Sequence, residues 1–284
     1  MAHHYLLPFL ALILVILPSS SHADDQTQAL FSDTDIFITG GKNLTHGIYT
    51  LSLGNNCSLL YYVKGDLKAD YNTAIKGNTD CILSVTNQGQ LLLRPGDGHS
   101  PLSLGDASEV GEYAVVFTEK GLCIYGPRKW DNKIHPGNEL QTLKNKNLRA
   151  TTSSNVIYSP ERKDGNANGN TTLATNKDVS VYITQYCALS VNYTETGKNI
   201  WNSNSSSAEP RDCFLYLTNT GVLLLQSDES EELHTQWTGG AFVKVNDYVL
   251  VLRSYGGLDL YGFKIKVVDI RPLLKIENIK MVTA

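Results

Sequence analysis

The chain has 284 residues, 24 basic and 28 acidic side chains, a formal net charge of -4 and 42% apolar residues, enough to build more than one core. A mildly negative chain without a long Lys/Arg run gives no footing to nucleic-acid binding. Its seven histidines do not stand with cysteines or carboxylates at metal-ligand spacings, and no nucleophile motif occurs, so neither an enzyme nor a cofactor is expected.

From Tyr5 to Leu17 the chain is almost wholly apolar, and Ser21 and Ala23 suit the small-residue rule of signal peptidase. Residues 1–23 are read as a signal peptide, too short and too near the start for a membrane span, and nothing after residue 23 is long enough to cross one. Export through the endoplasmic reticulum follows, ending in secretion or in a vacuole.

Cys57 and Cys81 enclose 23 residues, and Cys187 and Cys213 enclose 25. Each cysteine heads a run with strand period, Cys57-Ser-Leu-Leu-Tyr-Tyr62, Cys81-Ile-Leu-Ser-Val85, Cys187-Ala-Leu-Ser-Val191 and Cys213-Phe-Leu-Tyr-Leu217. Two disulfides, 57–81 and 187–213, are therefore expected, each contributing roughly 3 to 4 kcal/mol in an oxidising compartment. The fifth cysteine, Cys123, lies inside Leu122-Cys-Ile-Tyr125 and is expected as a buried free thiol.

Similar strand openings recur every 31 to 35 residues, four of them with turn sequences: Thr86-Asn-Gln-Gly89, Thr118-Glu-Lys-Gly121, Thr218-Asn-Thr-Gly221 and Ser254-Tyr-Gly-Gly257. The reading is three sheet-forming blocks in each of two domains, 24–135 and 154–266. Between them the polar stretch 136–153, with Lys144, Lys146 and Arg149, reads as a linker and a candidate for proteolytic processing. Asp228 to Glu232 reads as a solvated hairpin tip, without the ligand spacing of a calcium loop. Asn43, Asn170, Asn192 and Asn204 begin glycosylation sequons. The tail 267–284 is a candidate propeptide. Periodicity alone does not separate a three-sided prism from a trefoil or a propeller fragment.

Cys57-Ser-Leu-Leu-Tyr-Tyr62, Ile124-Tyr-Gly-Pro-Arg-Lys-Trp130, Ile200-Trp-Asn-Ser-Asn204 and Gln236-Trp-Thr238, with the entries Ala29-Leu-Phe-Ser32 and Asn155-Val-Ile-Tyr-Ser159, resemble the bulb-type, monocot mannose-binding lectins in tandem two-domain form. The resemblance implies an all-β fold of two β-prism II domains, each with three four-stranded antiparallel sheets about a pseudo-threefold axis. It also implies mannose-containing glycans or glycoproteins as partners, pairing of lectin domains within or between chains, and a role in defence or storage.

In that family a sugar row reads Gln-x-Asp-x-Asn-x-Val-x-Tyr, because residues two apart on a strand share a face and line up donors and acceptors for sugar hydroxyls. None of the six rows here is complete. The first, Gly54, Asn56, Ser58, Leu60 and Tyr62, keeps most; the third, Phe117, Glu119, Gly121, Cys123 and Tyr125, keeps the tyrosine and an acid. The others are Thr86, Gln88, Gln90, Leu92, Arg94; Thr184, Tyr186, Ala188, Ser190, Asn192; Thr218, Thr220, Val222, Leu224, Gln226; and Arg253, Tyr255, Gly257, Asp259, Tyr261. Asn56, Ser58, Leu60 and Tyr62 are the leading candidates for sugar contact, then Glu119 with Tyr125. A scaffold that stores nitrogen or binds protein without sugar is the alternative reading.

Family members place one tryptophan per block in each core, whereas this chain has Trp130 in its first half and Trp201 and Trp237 in its second. Tyr71, Leu102 and Lys266 stand at the vacant positions. That distribution fits two arrangements: the last strands of the two domains exchanged, with Trp130 completing the second core, or Trp130 packed in its own domain.

Overall fold

The computed structural model describes residues 29–268 except 34–37, 71–72, 74–79, 97–100, 105, 119–120, 135–154, 177, 230–231 and 241–242. The segments expected as signal peptide (1–23) and linker (136–153), with Glu119, Tyr71 and the tail beyond residue 268, lie outside the described residues. Leu, Val and Tyr alternating with polar residues give β structure throughout: the described residues hold strands and no helix, arranged as six antiparallel four-stranded sheets.

Three sheets surround the first core. One has the order β3 (Lys42–His46), β4 (Tyr49–Leu53), β5 (Leu59–Val63), β6 (Asp66–Asp70), and a second the order β2 (Ile38–Thr39), β7 (Cys81–Val85), β8 (Leu91–Pro95), β9 (Leu102–Ser103). The third begins β1 (Ala29–Phe31), β10 (Ala114–Thr118), β11 (Gly121–Tyr125). Strict alternation puts Leu51, Leu53, Leu59, Leu83, Leu91, Leu93, Val115 and Ile124 inward, each at most 2% exposed. Each such side chain contributes about 1.5–3 kcal/mol by burial.

The second half repeats the plan. One sheet runs β15 (Thr171–Thr175), β16 (Val179–Ile183), β17 (Leu189–Tyr193), β18 (Asn199–Asn202), and another β14 (Glu161–Asp164), β19 (Cys213–Leu217), β20 (Val222–Glu229), β21 (Glu232–Gly240). A third contains β13 (Val156–Tyr158), β22 (Tyr248–Leu252) and β23 (Leu258–Gly262). Of the acidic stretch, Asp228 and Glu229 end β20 and Glu232 opens β21, with Glu229 opposite Glu232. Both expected disulfides are present, and Cys123 is a buried free thiol, 2% exposed.

Both third sheets are completed by a strand from the other half. Strand β12 (Arg128–Asp131) pairs with β23, Trp130 opposite Leu260, while β24 (Lys264–Val268) pairs with β11, Lys266 opposite Ile124. The sheets therefore do not follow the sequence division at 135 and 154. Trp130 joins the second core, its ring 5.9 Å from Trp237, which lies 5.8 Å from Trp201, both pairs edge to face. Each such contact adds about 0.5–1.5 kcal/mol beyond burial. Leu102, expected at a vacant tryptophan position, is 45% exposed on β9; Tyr61, Phe117 and Tyr49 supply the aromatic packing at the first core instead.

A third apolar cluster joins the halves. Ala29, Phe31, Ala114, Val116, Cys123 and Tyr125 meet Val156, Val249, Val251 and Tyr261, so the outer faces of the two exchanged sheets cover each other.

Candidate functional site

The rows start at a tight turn whose fourth residue needs a left-handed backbone. Cys57 (φ 64°), Gly89 (70°), Cys187 (60°), Gly221 (80°) and Gly256 (90°) occupy that place in five of the six rows. The turn closes by backbone bonds such as Cys57 N–H to Gly54 O (3.1 Å) and Gly221 N–H to Thr218 O (3.3 Å). The rows thus share one local geometry and differ in the side chains carried on it.

In the first row Asn56 is exposed at the turn, and Ser58, Leu60 and Tyr62 follow, half-buried, into and along β5. Asn56 Oδ1 accepts a hydrogen bond from Ser58 N–H at 3.2 Å, which orients the carboxamide. A Cβ on Gly54 would lie 2.2 Å from Ser58 Oγ and 2.8 Å from Asn56 Oδ1. Losing the side chain there lets the hydroxyl and the carboxamide close in over the strand. Thr50 and Leu67 flank Tyr62, and Ser52 and Asp70 flank Leu60 across the sheet. The result is a shallow, accessible patch with an amide, two hydroxyls and an apolar centre, the functional groups that meet sugar hydroxyls and a sugar ring face.

The third row offers no such patch. Tyr125 is 4% exposed and Cys123 2%, both within the cluster between the halves, while Glu119 lies outside the described residues. Burial, then the neighbouring Cys123 and Tyr158, raise the Tyr125 phenol far above its ordinary range. The expectation that Tyr125 contacts sugar is corrected: the exchanged sheets cover it. Periodicity could not reveal this, because a row facing another sheet and a row facing solvent alternate alike.

The sixth row is buried in the same place. Arg253, where the family has Gln, is 2% exposed, and Asp259 and Tyr261 are fully buried. Arg253 donates through Nη1 to Asp259 Oδ2 (3.2 Å) and Tyr261 OH (2.8 Å), and through Nη2 to both oxygens of Asp33 (3.0 and 3.1 Å). Its guanidinium also stacks on Phe31, 3.8 Å from the ring centre. This row binds the other half of the chain.

The remaining rows satisfy themselves. Thr86 Oγ1 accepts from Gln88 and Gln90 N–H (3.2 and 3.1 Å), and Thr218 Oγ1 from Thr220 and Val222 N–H (3.3 and 2.9 Å), so the residue in the Gln position caps its own turn. In the fourth row Ser190 Oγ donates to Asn192 Oδ1 at 2.9 Å, and Asn199 Nδ2 donates to both, at 2.7 and 2.9 Å.

Six four-stranded sheets in two prisms, five of their rows starting at the same turn, define a two-domain β-prism II fold. No family model matches the sequence. The chain is 32% identical to mannose-specific lectin 1 of Colocasia esculenta over 99% of its own length and 97% of that protein's. It is 30% identical to mannose-specific lectin 1 of Remusatia vivipara over 91% and 92%. The two-domain Scilla campanulata agglutinin, described as a fetuin-binding protein, superposes with a TM-score of 0.67 at 18% identity, covering 84% of this chain and 99% of that one. The chain belongs to the monocot mannose-specific lectin family, which is not enzymatic.

Proposed function

We propose that the protein is a glycan-binding lectin with one surviving sugar patch, Asn56, Ser58, Leu60 and Tyr62, and five rows that have lost ligand. The observation that carries this is the contrast in access: the first row presents its polar groups on an open face, while the third and sixth lie between the sheets. The relatives from Colocasia and Remusatia are named mannose-specific, which makes mannose-containing glycans the first ligands to test.

Magnitude sets the affinity. A single shallow sugar site binds at about millimolar strength, about 4 kcal/mol, and each neutral hydrogen bond contributes about 0.5–1.5 kcal/mol net. With Gln absent and Asp and Asn replaced by Asn56 and Ser58, the patch is weaker than an intact row for a lone monosaccharide. It suits branched glycans on glycoproteins, where neighbouring residues add contact and several copies add avidity.

The same reading places the chain in the secretory pathway, secreted or vacuolar, in a defensive role against glycan-bearing consumers or microbes. Three of the four sequon asparagines, Asn43, Asn170 and Asn204, are exposed, which supports glycosylation; Asn192 is half-buried, its Oδ1 engaged by Ser190 and Asn199. The loss of five rows favours a second reading, a storage or protein-binding scaffold. A glycan array probed with the deglycosylated protein and an Asn56→Ala/Tyr62→Ala variant separates the two. Mannose-inhibitable binding that the double variant lowers at least about tenfold supports the lectin; a blank array from folded protein supports the scaffold.

A further inference from the structure

Where β12 crosses into the second half, four carboxylates surround two guanidinium groups. Arg128 Nη2 lies 2.7 Å from Glu112 Oε2 and 3.7 Å from Asp131 Oδ2, and its Nη1 lies 3.5 Å from Asp259 Oδ2. Arg253 holds Asp33 and the same Asp259 oxygen, which also accepts from Tyr261 OH at 3.1 Å. Among the described residues a third cation, Lys133, lies 3.8 Å from Asp131, from a side chain that is 82% exposed. With every acid ionised and the exposed Lys133 set aside, these four acids and two arginines carry two more negative than positive charges. Two carboxylate oxygens, Glu112 Oε2 and Asp259 Oδ1, are buried without an aligned hydrogen-bond donor.

We propose that this cluster is an acid-strengthened clasp: it takes up a proton as the solution falls below neutrality, and the two halves then hold together more firmly than at neutral pH. Glu112 is the group best placed to receive the proton, since its side chain keeps 38% of its surface in water while it faces the cluster. The described charged groups facing it are Arg128, Asp33, Asp259 and Arg253. Those facing Asp259 are Arg253, Arg128, Asp33 and Tyr261, with Tyr255 and Asp131 set against the two arginines. Burial is the largest influence on Glu112 and raises its pKa; Asp33 and Asp259 push the same way and Arg128 opposes them. Burial raises Asp259 too, against Arg253 and Arg128.

The sign follows. A carboxyl whose folded pKa lies above its unfolded value binds more protons folded than unfolded, so its stabilising contribution is full below the unfolded pKa and is lost as pH rises through the folded one. The window begins near the ordinary carboxylate range, 4.5 for Glu112, and extends upward from it.

Thermal unfolding of the whole chain at about pH 5 and about pH 7.5 tests this, on wild type, Glu112→Gln, and Glu109→Gln as an exposed acid of the same loop. The expected wild-type midpoint is at least about 2 °C higher at the acid pH. Glu112→Gln, a permanently neutral analogue of the protonated acid, should raise the neutral-pH midpoint and remove half or more of the difference, while Glu109→Gln keeps it. A wild-type midpoint that is level or lower in acid overturns the proposal, and so does a Glu112→Gln protein retaining the whole difference. Carboxyl carbon titration of Glu112 in wild type gives a reading without any variant, and a midpoint at or below the ordinary glutamate value overturns the proposal equally.

Discussion

Gly221 shows how one residue serves both turn and core. Its φ of +80° is left-handed, and an added Cβ would come within 2.7 Å of the Tyr248 ring. That tyrosine is buried, with its hydroxyl donating to Lys244 O at 2.8 Å. Gly221→Ala is expected to destabilise the chain by about 1–3 kcal/mol, read as a lower urea midpoint with unchanged slope. Arg253 is the opposite case, a charge held by long-range partners. Arg253→Ala strips Asp33 of its cation and leaves the buried Asp259 with Arg128 alone, at 3.5 Å, and is expected to cost about 3–5 kcal/mol in the same assay, because the buried carboxylates lose their closest compensating charge. Nothing local in the sequence announced this pair, since Asp33 and Arg253 stand 220 residues apart.

Among the elements, β12 and β24 decide the architecture. The distribution of Trp130, Trp201 and Trp237 left the exchange and a Trp130 packed in its own half equally open, and the pairing of β12 with β23 decides for the exchange. Trp130→Ala is expected to lower the unfolding free energy of the second half by about 3 kcal/mol, measured by denaturant with near-ultraviolet tryptophan signals as the probe. An unchanged second half would mean that the ring packs elsewhere. The sheets themselves were legible from period-two runs and turn sequences, and the disulfides from the paired cysteine loops. Tyr125 was not, for its neighbours across the interface, Tyr158, Val249 and Val251, lie far away in the chain and carry no pattern that distinguishes a partner sheet from solvent.

On the scale of the whole molecule, exchange and interface together turn two of the six rows into an internal joint. Each half lacks a strand without the other, so a cut in the linker 136–153 is not expected to release them. After limited proteolysis there, the two fragments should elute together in size exclusion and separate only in denaturant. Elution as two smaller particles in plain buffer would contradict the exchange. The joint also explains why binding should be sought in the first half: the exchanged sheets are covered, and the second half's open rows, such as Ser190 with Asn192 and Asn199, hydrogen-bond among themselves.

Asn56, Ser58, Leu60 and Tyr62 are proposed to bind a glycan. Titration of isotope-labelled protein with a high-mannose oligosaccharide, followed by amide chemical shifts, tests it most directly. The predicted result is saturable movement confined to the turn from Gly54 to Ser58 and to β4 and β5, at an affinity near the millimolar range expected of a shallow site. Movement centred on the second half, or none at saturating glycan, would contradict it.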